Sequence, residues 1–237
     1  MPAERFFLVH SLQKNESIII KDEEYHHLVR VMRNKVGDQV EIINGNGVLA
    51  IAEIVAIEKR QASLIIKDRF VSVPPKLKIT LLQSIPKPNR LDNIVEKCTE
   101  LGVTDICLIA TQKSDRKELS EDQLKRLAYL SIAAAKQSGR LFLPRITIHN
   151  QSLDFPKSTC FYGDVDPSAP LLVDFIQKNQ LSSNIVIAIG PESGFTDEEL
   201  RTFKSKGFQG IHLNKAILRT DTAAITAIAL IAHLTKI

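Results

Sequence analysis

Apolar residues fall into two textures along the chain. Residues 1 to about 72 carry short apolar runs: "RFFLVH", "SIIIK", "QVEIINGNG", "VLAIAEIVAIE" and "QASLIIKDRF". Turn signals at Gly37-Asp38 and Asn44-Gly45-Asn46-Gly47 separate them. One helical stretch, 22 to 33, puts Tyr25, Leu28, Val29 and Met32 on a buried face and His26, Arg30 and Arg33 on the opposite one. Short strands joined by such turns predict a small barrel. The tandem prolines Pro74-Pro75 then mark a boundary, because they block both helix and ladder pairing.

From Leu77 the texture alternates. "LKITLLQ" leads to a helix at 90–101, "DICLIAT" to one at 121–138, and "TCFYG" to one near 170–177. "NIVIAIG" leads to a helix at 197–206 and "GIHLN" to a last one at about 221–235. Near-continuous apolar strands with helices between them predict a parallel sheet buried on both faces. Thr196 with Glu199, and Ser120 with Gln123, have the spacing of capping boxes. Leu91, Ile94, Val95, Cys98 and Leu101 form a helical stripe that ends at Gly102.

Composition narrows the class without naming it. The 237 residues are 44% hydrophobic and 24% charged, with a net charge of +4. That balance belongs to a globular chain with a real core, and it permits a polyanionic partner. There is no Trp and only 3 Tyr, which argues against serial base stacking on aromatic platforms. Cys98, Cys107 and Cys160 are scattered in apolar runs with no CxxC, so neither structural zinc nor a disulfide framework is expected. A reducing, cytoplasmic compartment fits. "MPAERFFLVH" lacks the form of a secretory signal, and "AAITAIALIAHL" is too short to span a membrane.

Open α/β sheets hold ligands beyond the carboxyl ends of their strands. Three such ends carry unusual residues: "FYGD" at 161–164, "GPESG" at 190–194 and "LNKAILRTDTAA" at 213–224. Glycines there let a backbone approach a ligand, and helix-start amides welcome anionic groups. No GxxxxGK[ST] occurs, and no GxGxxG follows the first strand of the sheet. "GPESG" is one place off a nucleophile elbow, so a hydrolase using Ser193 is a weak alternative.

"IGPESGFTDEEL" and "LNKAILRTDTAAI" together resemble the signature of the ribosomal small subunit methyltransferase E family, within the SPOUT class of knotted methyltransferases. "HHLVRVMRNKVGD", "KPNRLDNIVEKCTELGV" and "KQSGR…P" match as well, in order along nearly the whole chain. The resemblance implies a PUA-like, RNA-binding barrel at 1–72. It also implies an α/β SPOUT domain at 73–237, its end threaded into a deep trefoil knot, and a homodimer. S-adenosylmethionine would be the methyl donor, no metal would take part, and the target would be N3 of a uridine in 16S rRNA, uridine 1498, in the small ribosomal subunit. Carried onto this chain, Gly163, Ile189, Gly190, Glu192, Gly194, Leu213, Asn214, Ile217 and Leu218 should hold the cofactor.

The chain departs from the family pattern. Ser193 and Asn214 stand where glycines are usual, Ala216 where Arg is common, Asp221 where Glu is usual, and Lys113 where Arg is expected. The mechanistic candidates are Arg219, to stabilise charge on the uracil oxygens, and Glu192 or Asp221, to accept the N3 proton. Each has a structural alternative: an Arg219–Asp221 ion pair, and a loop-tying role for Glu192. His26, Arg30, Arg33, Arg90, Arg116 and Arg140 are candidate RNA contacts. The rival from another class is a non-catalytic RNA-binding adaptor whose cofactor loops have decayed at Ser193 and Asn214.

Overall fold

The structure, a computed structural model, describes residues 5–114, 116–148 and 153–235. It divides into two compact units. The first runs to Pro74 and takes in Ile132–Leu143; the second holds Pro75–Ser131 and the chain from Pro144 onward.

In the first unit, β1 (Arg5–Phe7), β2 (Ser17–Lys21), β3 (Gln39–Ile43), β4 (Val48–Ile57) and β5 (Gln61–Val71) form one sheet in the order β1-β3-β4-β5-β2. Only the β1–β3 pair is parallel. One face buries Val48, Ala50, Ala52 and Ile54 of β4 with Ala62, Leu64 and Ile66 of β5, and Leu28 packs on them. The expected helix at 22–33 is α1 (Asp22–His26) followed by a π turn over His27–Val31, where the Met32 amide bonds the His27 carbonyl five residues back. Arg33, at φ +59, ends it, and the Asn34 amide returns to the Leu28 carbonyl. Tyr25, Leu28, Val29 and Met32 pack on the core as the pattern required, while His26, Arg30 and Arg33 are exposed.

Residues 132–143, counted with the second domain in the sequence reading, belong to the first unit because they dock on the turn between β3 and β4. Gly47 N–H donates to the Leu141 carbonyl and Leu143 N–H to the Gly45 carbonyl, at 2.8 and 2.9 Å. The Phe142 ring lies over Gly47 (φ +86), where a β-carbon would come within 2.4 Å of it. Within this unit Lys136 also pairs with Glu24 at 2.8 Å.

The second unit comprises β6 (Lys78–Ser84), α2 (Pro88–Leu101), β7 (Asp105–Ile109), α3 (Glu121–Ser138, with Ile132 onward in the first unit), β8 (Arg145–Ile148) and β9 (Thr159–Gly163). It continues with α4 (Leu172–Lys178), β10 (Asn184–Ile189), α5 (Asp197–Ser205), β11 (Gln209–Ile211) and α6 (Thr220–Leu234). Its six strands run in the order β11-β9-β10-β6-β7-β8, every pair parallel. The short edge strand β8 is the one the sequence pattern did not reveal. On β10, Ile185, Ile187 and Ile189 face α2, α4 and α6, while Val186 and Ala188 face Phe195, Phe203 and Phe208 around α5. Both faces are covered, so the strands read as unbroken apolar runs.

Both capping boxes form. Thr196 Oγ1 accepts the Glu199 amide while the Thr196 amide donates to the Glu199 carboxylate; Ser120 and Gln123 do the same. Buried Ala224 and Ala227 let α6 lie against α2. All three cysteines are unpaired. Among the described residues no helix is long and apolar enough to cross a membrane.

Candidate functional site

Sheet order decides which loops meet. β9, β10 and β11 are neighbours and parallel, so their last residues, Gly163, Ile189 and Ile211, end on one side of the sheet. The chain leaving β11 then returns towards the middle of the sheet. Thr220, first residue of α6, donates its hydroxyl to the Gly190 carbonyl at 2.7 Å and accepts from Gln83 Nε2 at 3.0 Å. Gln83 is fully buried at the end of β6, and its amide also donates to the Ser84 carbonyl. One buried amide thus ties β6, the loop after β10 and the start of α6. Gln83 was not among the residues expected here; its signal in the sequence is a lone polar residue at the end of an apolar strand, where α/β sheets place function.

Between these loops lies a cavity of about 1090 Å³. Its wall includes every residue expected to hold a cofactor: Gly163, Ile189, Gly190, Glu192, Gly194, Leu213, Asn214, Ile217 and Leu218. Arg219 joins them, exposed and with no ion pair among the described residues. Asp221 is not in the wall. It sits half-buried in the first turn of α6, with its Oδ1 enclosed and without a hydrogen-bond partner, and forms no pair with Arg219. Glu192 accepts from Arg90 Nη1 at 2.6 Å, which ties the 190–194 loop to α2; both groups line the cavity. Of the six residues proposed from sequence to touch RNA, Arg90 alone is at the cavity. His26, Arg30, Arg33 and Arg140 are in the first unit, and Arg116 is exposed elsewhere in the second.

The two departures from the expected glycines both lie outside left-handed backbone. Neither Ser193 nor Asn214 has positive φ; the residue that does is Gly194, at +70. Glycine's freedom is therefore needed at 194 and not at 193. The tolerance of Asn for left-handed backbone is not called on at 214, where the side chain instead accepts the Lys215 amide at 2.7 Å. A non-catalytic adaptor with decayed cofactor loops is therefore not favoured.

Beside the cavity, the loop after β9 is laced to β11. The Asp164 amide donates to the Ile211 carbonyl, the Asp164 carboxylate accepts the Asp166 amide, and the His212 ring bonds the Asp166 carbonyl at 2.6 Å. Burial, then the neighbouring Asp164 charge, pushes the Tyr162 phenol up to about 12. Tyr162 is therefore neutral at physiological pH and stays stacked on Phe203. A β-carbon on Gly210 would meet Asp164 Oδ2 at 2.4 Å and the Tyr162 hydroxyl at 2.8 Å, so glycine is required there for space. Ile217 and Val165 line the cavity while 84% and 67% exposed. Apolar side chains held open at a cavity mouth suit a ligand with an apolar face.

Comparison with known proteins bears on this architecture. Residues 73–232 match the RNA methyltransferase domain and residues 20–67 the RNA methyltransferase PUA domain. Ribosomal RNA small subunit methyltransferase E 2 of Borreliella burgdorferi is 34% identical, over 90% of this chain and 89% of that protein. The Rickettsia conorii ribosomal RNA small subunit methyltransferase E is 31% identical, over 97% of this chain and 95% of its own length. The Neisseria gonorrhoeae ribosomal RNA small subunit methyltransferase E, crystallised with S-adenosyl methionine, superposes with a TM-score of 0.87 at 30% identity, covering 98% of both chains. The second unit is a parallel-sheet α/β methyltransferase fold preceded by a PUA-like domain. With both motif loops inside the matched span and similarity along almost its entire length, the chain belongs to the ribosomal RNA small subunit methyltransferase E family.

Proposed function

We propose that this chain methylates N3 of a uridine in 16S rRNA, uridine 1498 in the family, using S-adenosylmethionine and acting in maturation of the small ribosomal subunit in the cytoplasm. One observation carries the proposal: all three strand-end loops line a single cavity. At about 1090 Å³ it is slightly larger than typical ligand pockets, which run roughly 300–1,000 Å³. That leaves space for a donor and an extruded base together. The lining suits the donor: apolar Ile189, Leu213 and Leu218 for an aromatic face, and the carboxylates of Asp164 and Asp197 for positive groups. Bound there, S-adenosylmethionine would supply an electrophilic methyl group on a sulfonium.

The residues of the chain must then make a nucleophile of N3. That nitrogen carries a proton, and its loss leaves negative charge on the two uracil carbonyl oxygens. Arg219, in the cavity wall and without an ion pair among the described residues, would hold that charge. The proton would pass to Glu192 or Asp221. Glu192 stands in the wall and is engaged by Arg90; Asp221 lies outside the wall, with one enclosed carboxylate oxygen that has no hydrogen-bond partner among the described residues, so it would have to turn towards the base. The test is methylation of a small-subunit substrate, with the product nucleoside identified by mass spectrometry. N3-methyluridine is the expected product, and Glu192→Gln compared with Asp221→Asn identifies the acceptor. No methyl transfer, or transfer to another position, removes the reading.

His26, Arg30, Arg33, Arg90, Arg116 and Arg140 are proposed RNA contacts, with residues 1–72 as the RNA-binding domain and 73–237 as the SPOUT domain. Each phosphate contact contributes about 0.7–0.9 to the slope of log K against log salt. Removing Arg30 and Arg33 together should weaken RNA binding and flatten that slope by roughly 1–2. An unchanged slope would exclude them. We also propose a threaded C-terminus and a homodimer. The path from β11 at the sheet edge to Thr220 beside Gly190 and Gln83 supports the first. Sedimentation of the purified chain tests the second, a monomer mass counting against it.

A further inference from the structure

We infer that Lys113 is a positioning residue for the donor loop Gly190–Phe195, acting through main-chain carbonyls and not through RNA; this rests on the donor site proposed above. A lysine in a cavity wall of an RNA methyltransferase invites assignment to a phosphate. Its bonds point elsewhere. The Lys113 ammonium donates to the carbonyls of Ser193 and Phe195, at 3.3 and 3.4 Å, and the Ser193 hydroxyl donates back to the Lys113 carbonyl at 3.4 Å. Beside it, the Gln112 amide donates to Glu199 Oε1 at 2.8 Å and its side chain to Glu198 Oε2 at 3.1 Å. Glu199 is the acid of the capping box that starts α5, so the turn after β7 grips both the loop and the helix that follows it.

The loop needs such a grip. A β-carbon built on Gly194 meets nothing within 4 Å, so the side of the turn where it would stand is open. The Gly194 amide returns to the Pro191 carbonyl, its one backbone partner among the described residues. Arg90 draws Glu192 to one side, and Phe195 is buried at the far end. Without Lys113 the carbonyls between them would be free to turn, and a bound donor would have to order them at its own entropic cost. Each of these bonds is long and weak alone. Their convergence on Ser193 and Phe195, the two residues flanking Gly194, is what fixes the wall. Ser193, where the family has glycine, contributes the return bond, so this chain's departure from the pattern belongs to the same clasp.

Calorimetry of the full-length chain with S-adenosylmethionine, alongside RNA binding over a salt series, tests this. Lys113→Ala and Lys113→Met should bind S-adenosylmethionine about tenfold more weakly, through lost preorganisation. KM for the donor should rise while kcat holds. RNA affinity and its salt slope should stay at wild-type values. Lys113→Arg should stay near wild type, because a guanidinium can donate to the same carbonyls. The methionine variant keeps the side-chain stem, so folding is preserved if alanine proves disruptive. Unchanged donor affinity in both truncations, with a wild type that binds, overturns the inference alone. A flattened salt slope with intact donor affinity assigns Lys113 to RNA and overturns it too. A wild-type chain that gives no heat removes the donor site, and this inference with it.

Discussion

Arg219→Ala is expected to reduce kcat about 10²–10³-fold, the usual loss when one preorganised donor to a developing oxyanion is removed. Affinity for S-adenosylmethionine should change little. Arg219 is the N-cap residue of α6, its side chain makes no ion pair among the described residues, and Glu192, an acid of the same wall, is already engaged by Arg90. A structural role would require a partner, and the anticipated Asp221 partnership does not form. What remains is an exposed guanidinium with five donors facing a cavity. A lysine at this position would keep the charge and lose the fork, so Arg219→Lys should fall between wild type and the alanine variant. Single-turnover methylation separates chemistry from binding; near-normal turnover by the alanine variant would remove Arg219 from the mechanism.

Gly47→Ala should be the most damaging small change in the first unit. Two costs add at this position. Positive φ at +86 strains any L residue, by roughly 1–3 kcal/mol, and a methyl group 2.4 Å from the Phe142 ring adds roughly 1–3 kcal/mol of overpacking. Gly37 is the control: φ is +95, but nothing lies within 4 Å, so alanine there incurs only the first cost. Urea denaturation of the two variants should therefore give a clear difference, with Gly47→Ala the less stable. Equal stabilities would mean that Phe142 swings aside freely and that the docking of 132–143 adds little to the unit.

Much of this was legible in one dimension because the physics is local. The Thr196/Glu199 box needs only two side chains three residues apart, and it forms as spaced. The apolar runs of β6, β7, β9 and β10 announced a sheet covered on both faces, and the parallel ladder follows. What failed did so where an element was too short or too irregular to leave a pattern, or where a partner lies far along the chain. β8 has four residues and an edge position, too little burial to mark it. The helix at 22–33 is interrupted by a π turn, since hydrophobic spacing does not distinguish a fourth-residue from a fifth-residue hydrogen bond. Arg90 and Glu192 were assigned separate roles, 102 residues apart, and they hold each other.

By itself the amino-acid sequence determined the alternation of strands and helices, the break at Pro74-Pro75 and the identity of the three strand-end loops. Each depends on side-chain period, proline's missing amide or glycine's missing β-carbon, all of which act within a few residues. Only the tertiary structure decided that Phe142 and Leu143 complete the first unit, that Gln83 and Thr220 draw Gly190 to the start of α6, and that Ser193 and Lys113 brace one loop. Those contacts depend on strand order, and strand order is set by which buried faces fit together across the whole core, a sum over distant pairs that no short window of sequence contains.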